Sequence, residues 1–259
     1  MKKTGRLITI ALAAVMAAGI SAPCSAKGVS RDEFSGFVDT LRENASVPYT
    51  DYDKYDLGTI EEYQTVTVEG VTVDIPGNLH NDPDHKSEYD SINDLYRRTY
   101  FSDEKDLQKS DCMVMFMEKF EMDINDLTDD LKKRYPKEYR SLLRKLGKKQ
   151  IGDIYEFYDV LYSLDEIDSK KLSENEFTLY AELMVYRQIL SSDDKHIYRF
   201  ENDSCRGFVK DWSKEDAIGY VVEIYPKKKP SESYSVLLKT PDEETAYKII
   251  NSIRINTGE

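Results

Sequence analysis

The sequence predicts an α+β fold, an antiparallel sheet with a terminal helix and a helical insert packed against it. Three observations predict it. Residues 64–75 alternate apolar and polar side chains about a Glu69-Gly70 turn. Residues 123–190 repeat their apolar side chains at helical spacing instead. From residue 197 onward, four strand-like runs lead into one amphipathic helix.

The chain opens with Lys2, Lys3 and Arg6, then a run of apolar and small residues from 7 to 20. Small residues follow at Cys24 and Ala26, the −3 and −1 positions of a cut after Ala26. That is a signal-peptide pattern, and the apolar run is short for a membrane span. The expected organisation is a signal peptide at 1–26, an N-terminal helix and linker at 27–61, and a single α+β domain at 62–259. The helical insert of that domain spans about 123–190. The expected location is secreted or envelope-associated, with no transmembrane segment after processing.

Ser30 caps a short helix over 30–43, with Phe34, Phe37, Val38 and Leu41 on one face. Residues 47–61 carry Tyr, Asp and Pro without period and read as a linker. In the 64–75 hairpin a two-residue turn pairs Val68 with Val71 and Val66 with Val73 on the core face. Thr67 and Thr72 pair on the water face, and Pro76-Gly77 ends the hairpin.

Residues 97–101 and 113–120 read as further strands of the same sheet. Over 123–149 the pattern is helical, with Pro136 starting a second piece and Gly147 as a stop. Residues 153–164 fit either helix or strand. Ser173 with Glu176 makes a capping box for a helix to about 190, apolar nearly all round and therefore buried. Strands follow at 197–200, 205–212, 219–225 and 234–240. Thr240-Pro241-Asp242-Glu243 then starts a helix with Thr240 as its cap, and Ala246, Ile249, Ile250 and Ile253 form its apolar stripe.

The hairpin ending in Ile75-Pro76, the later meander of strands and the closing Ile249-Ile250-Asn251-Ser252-Ile253 helix resemble the PsbP-like α/β sandwich domains of small exported bacterial proteins. The resemblance covers the hairpin and 195–255, and the helical insert departs from it. It implies a binding or accessory role and carries over no functional residue.

The formal charge of the 259 residues is −13, and removing Lys2, Lys3 and Arg6 with the signal makes it −16. Such a chain repels nucleic acid on average, so no nucleic-acid partner is expected. No Gly-x-Ser-x-Gly elbow, His-Glu-x-x-His or phosphate-binding Gly loop occurs. His80 and His85 lie close with Asp82 and Asp84, but Pro83 rules out a shared helix face, so the segment reads as a solvated loop. Asp123 and Asp165 begin acid-rich runs that lack the central Gly and closing Glu of a calcium loop. No catalytic residue, metal site or cofactor is assigned.

In an exported chain, Cys112 and Cys205 are a disulfide pair or two separate buried thiols. One feature stands out from the acidic background. Residues 132–149 hold nine Lys and Arg and one acid, Glu138, a local charge of +8. Read as one helix, the segment places Lys133, Lys137, Arg140, Arg144 and Lys148 on one stripe. The stripe is either the wet face of a core helix or a docking surface. The partner would be an anionic envelope polymer, an acidic membrane leaflet or an acidic protein. The expected function is that of an exported non-catalytic binding or accessory protein. The alternative is a secreted hydrolase with dispersed carboxylates.

Overall fold

The structure is a computed structural model that describes residues 35–36, 38–40, 43, 47–52, 62–103, 109–191, 194–214 and 217–256. The expected signal peptide lies outside the described residues, as does much of the 30–43 helix. Within that stretch 35–36, 38–40 and 43 are helical, and Val38 is buried.

The chain is α+β. Its elements run β1 (Tyr49–Asp51), β2 (Tyr63–Val68), β3 (Val71–Pro76), α1 (Asp90–Arg97), β4 (Thr99–Phe101), β5 (Met113–Phe116) and β6 (Phe120–Glu121). The helical insert holds α2 (Ile124–Arg134), α3 (Pro136–Lys145), α4 (Ile154–Tyr162) and α5 (Glu174–Ser191). The last part holds β7 (His196–Glu201), β8 (Cys205–Asp211), β9 (Ile218–Pro226), β10 (Glu232–Thr240), α6 (Glu243–Ser252) and β11 (Arg254–Ile255).

The large sheet has the order β1-β7-β8-β9-β10-β5-β4, with β6 also pairing β10. Every pair is antiparallel except β1 with β7. The expected linker therefore contributes an edge strand. Tyr49 and Asp51 pair with Ile197 and Arg199, because Tyr49 has an apolar pocket against Tyr162 and Phe208 to fill. Residues 113–120 are not one strand either. The ladder breaks after Phe116 and resumes at Phe120.

The hairpin has the expected register, Val66 with Val73, Thr67 with Thr72 and Val68 with Val71. Glu69 and Gly70 both take positive φ, 52° and 90°, as a two-residue turn between twisted strands requires. The hairpin nevertheless leaves the large sheet. It pairs with β11 to make a second sheet of order β11-β3-β2. Arg254 pairs with Thr72, and the Asn256 amide donates to the Thr72 hydroxyl at 2.7 Å, so Thr72 is buried rather than wet.

α6 lies between the two sheets. Ala246, Ile249, Ile250 and Ile253 are buried with Val66, Val73 and Ile75 of the small sheet and Val222, Ile224, Val236 and Leu238 of the large one. The helix starts two residues later than the sequence implies. Thr240 stays in β10, and the Asp242 carboxylate caps α6 by accepting from the Thr245 N–H at 2.7 Å.

On the opposite face of β7–β9, Ile197, Phe208 and Tyr225 pack on Ile154, Tyr155 and Tyr162 of α4. Beyond them a separate helical core joins Leu131, Leu142, Leu143, Leu161, Leu179, Tyr180, Leu183 and Met184. α5 is buried nearly all round, as its pattern predicts. Of residues 177–191 only Ile189 is exposed. Gly207 permits the tightest crossing in the large sheet. A Cβ there would lie 1.9 Å from the Glu223 carbonyl oxygen and 2.6 Å from the Phe200 ring.

Cys112 and Cys205 are both buried and not joined to each other, which corrects the disulfide expectation. The register forbids the bridge. Cys205 is level with Pro226, whereas Met113, beside Cys112, is level through Lys239 with Gly219. That is seven residues of strand, roughly 23 Å, where a disulfide tolerates a Cα separation of only about 7 Å. Burial pushes the Cys112 thiol up to about 11, with Asp242 and Asp111 adding to it.

Two outcomes follow from this packing. Cys112 and Cys205 should fail to react with a thiol reagent in the native protein and both react once it is denatured, without prior reduction. Gly207→Ala should lower unfolding stability by about 3 kcal/mol or more, read by chemical denaturation.

Candidate functional site

The basic segment is built by two helices rather than one. The Asp123 carboxylate caps α2 by accepting from the Asn125 N–H at 2.9 Å, which gives the first acid-rich run its structural role. α2 stops at Tyr135, whose φ of −129° and ψ of 55° are not helical. Pro136 at the first position of α3 then sets a new axis, since it has no N–H to continue the α2 ladder. Gly147, at φ 69°, ends the segment.

The five-residue stripe of the sequence is therefore corrected. Lys137, Arg140 and Arg144 share the solvent face of α3, at rises of about 4.5 and 6 Å. Lys133 is exposed on α2, across the break. Lys148 lies beyond Gly147 and turns inward, where its ammonium meets the buried Asp159 carboxylate on α4.

Asp159 is the centre of a polar knot. Besides Lys148 it accepts from the Tyr49 hydroxyl at 2.5 Å and faces Arg199 at 3.5 Å. Burial, reinforced by the Asp159 charge, pushes the Tyr49 hydroxyl far up, so it stays a donor. Arg199 also binds Asp51 at 2.6 Å, and the knot thereby ties β1, β7 and α4 to the end of the basic segment.

Other cations of the segment are also paired within the chain. Arg134 forks onto Glu182 of α5 at 2.5 and 2.8 Å and reaches Asp130 at 2.7 Å. Lys145 lies 3.8 Å from Glu176, and Lys132 lies 3.5 Å from Asp129. In contrast Lys133, Lys137, Arg140, Arg144 and Lys149 are exposed and face no carboxylate among the described residues. Arg140 donates its Nε to the Pro136 carbonyl at 3.1 Å, which holds the guanidinium while its Nη groups stay clear of any described carboxylate.

Beside Arg140 a groove of about 340 Å³ opens at the α2–α3 junction. Tyr139, Leu143 and Ile151, all buried, form its apolar wall, and Lys132, Arg140 and Lys149 line it as well. No local pattern marks this groove, because residues 149–151 come back onto α3 only after the Gly147 stop. A second cleft, lined by Glu69, Arg98, Glu118 and Lys119, is crossed by its own ion pairs, Arg98 to Glu69 at 2.8 Å among them.

The remaining sequence candidates resolve into structural contacts. The 80–85 segment is a surface loop, with Pro83 and Asp84 exposed, in which both imidazoles lie against aromatic rings. His85 stacks on Tyr96 at 3.6 Å and meets Asp82 at 3.3 Å, while His80 lies against Phe101 at 4.5 Å. Asn81 donates to the carbonyls of Tyr96 and Arg97, which closes the end of α1. Asp165 pairs with the buried Arg187 at 2.7 Å. No group of three or more His, Cys, Asp or Glu able to hold a metal ion occurs among the described residues. Among those residues no helix is long and apolar enough to cross a membrane.

No protein-family model matches the chain, and no curated protein matches it in sequence.

α3 is held to α5 by Glu176, which accepts from the Ser141 hydroxyl at 2.5 Å and from the Ser173 N–H at 2.8 Å. The Ser141 hydrogen bond, and then the Ser173 N–H, hold this carboxyl below its usual range. A depressed carboxyl stabilises the fold in full above its unfolded value and loses that contribution as pH falls through the folded one. Glu176→Gln should thus lower Tm at neutral pH, and the gap to the parent should narrow on acidification below the ordinary carboxyl range.

Proposed function

We propose that this chain is an exported binding or accessory protein that docks through the solvent face of α3 onto an anionic partner of the cell envelope. The observation that carries the reading is the trio Lys137, Arg140 and Arg144, exposed on one helix face without a carboxylate among the described residues. In a chain of formal charge −13, a solvent-facing cation ordinarily finds an acid nearby. Arg134, Lys145 and Lys148 of the same segment do find one. The trio thus forms one acid-free face in a segment whose Lys132, Arg134, Lys145 and Lys148 are paired within the chain.

Segregation matters because the overall charge opposes approach to an anionic surface. Beyond about 10 Å at 0.1 M salt the net field is screened, and a local cationic face acts on what lies against it. The expected signal peptide supplies the location, and the likeness of the hairpin and the closing strands to PsbP-like domains favours an accessory role.

Reversing Lys137, Arg140 and Arg144 to Glu tests the reading. Each is exposed, so the fold should survive, with changes near 0.5 kcal/mol per site. Retention on isolated envelopes at low salt should fall about tenfold or more, since a cation beside an anionic surface contributes about 1 kcal/mol. Unchanged retention with an intact circular dichroism spectrum would refute it.

A further inference from the structure

The groove beside Arg140 has two properties that a plain cationic face lacks. Its wall is apolar, made by Tyr139, Leu143 and Ile151, and it is also lined by three cations, Lys132, Arg140 and Lys149. A small inorganic anion gains nothing from an apolar wall. A flexible acidic peptide or a lipid headgroup needs the charges but not the recess. A sugar ring that carries its own carboxylate uses both, since its C–H face lies on apolar side chains while its carboxylate and hydroxyls meet donors at the edge. Arg140 is suited to the carboxylate, because a planar guanidinium matches it with two parallel N–H groups. Its Nε is already held by the Pro136 carbonyl at 3.1 Å, so the remaining nitrogens are oriented before anything binds.

The cations also continue past the groove. Lys137 and Arg144 lie on the same face of α3 as Arg140, and the three span about 10 Å along the helix. One anionic group would use Arg140 and Lys149 alone. A repeating anion is needed to use the rest of the row.

We infer that the groove is a subsite for an acidic sugar of a carboxylated polysaccharide, with Arg140 and Lys149 on the carboxylate, Tyr139 and Ile151 beneath the ring, and Lys137 and Arg144 on neighbouring units. This rests on the docking role of α3 proposed above and names the class of polymer it takes.

The experiment measures affinity of the purified protein for polygalacturonate, for polyglutamate, which has the carboxylates without the ring, for polyphosphate, and for vesicles of anionic phospholipid. Polygalacturonate should bind at least tenfold more tightly than the other three at matched charge concentration. Two variants address the groove and leave Lys137 and Arg144 in place. Lys149→Gln removes one of its cations, and Gln150→Trp places bulk in it from an exposed lining position. Gln150→Trp should weaken polygalacturonate at least fivefold and change polyglutamate by less than twofold, whereas Lys149→Gln, which also removes a charge that polyglutamate can use, should weaken polygalacturonate more than polyglutamate, both with the circular dichroism spectrum unchanged. Equal binding of polygalacturonate and polyglutamate, or groove variants that weaken both alike, would overturn the sugar subsite and leave α3 as a general anionic dock. Preference for polyphosphate or vesicles would overturn it in favour of a phosphate partner. Failure to bind any of the four would overturn the subsite and the docking role together.

Discussion

The two sheets share one helix, and the rest of the molecule depends on that arrangement. α6 buries Ala246, Ile249, Ile250 and Ile253 against both. A helix with a single apolar stripe ordinarily covers one layer. Here the small sheet closes over it as well, and β11, which follows α6 directly, pairs with β3 to hold the lid in register. The far end of the hairpin is tied independently. The Glu69 carboxylate at its turn accepts from the Lys119 N–H at 3.0 Å and binds Arg98 at 2.8 Å. A strained residue at positive φ thus also anchors the small sheet to the segment between β5 and β6.

The helical layer hangs from the other face of the large sheet by a different kind of contact. Around Phe208 the packing is aromatic, with Tyr155 stacked at 4.9 Å and Tyr162 edge-on at 5.0 Å. Close by, Lys210 is buried and pairs with Glu223 at 2.8 Å. Burial pulls that ammonium down, but the Glu223 carboxylate and Tyr162 outweigh it and hold the group charged. Removing one partner alone would strand a buried charge, which costs far more than the pair contributes. Lys210 also lies over the Tyr162 ring of α4 at 5.5 Å, which links this pair to the helical layer.

This attachment decides what α3 can do. α3 lies on the outer side of the helical core, with Leu142 and Leu143 packed inward. The knot at Asp159 draws Lys148 in, and Glu182 and Glu176 take Arg134 and Lys145. What remains outward is a short row of cations beside a recess. The same acids that hold the layer together select which cations are left for a partner.

The sequence by itself determined the elements whose information is local. The 64–75 hairpin, its register, the α2–α3 break at Pro136, the Gly147 stop, the Ser173–Glu176 box and the four strands from 197 to 240 are legible because alternation, helical spacing and turn chemistry act between near neighbours. Only the tertiary structure decided the rest. Which sheet the hairpin joins depended on β11, two residues long, and a strand that short has no periodicity of its own. β1 was hidden because its pairing energy comes from β7, some 150 residues away in the chain. Cys112 and Cys205 both begin strand-like runs, and their sequence could not reveal that those strands place them at opposite ends of the sheet. The basic segment was visible as a charge run. Which of its cations face solvent was set by Asp159, Glu176 and Glu182, because an ion pair between distant residues leaves no pattern in either stretch of sequence.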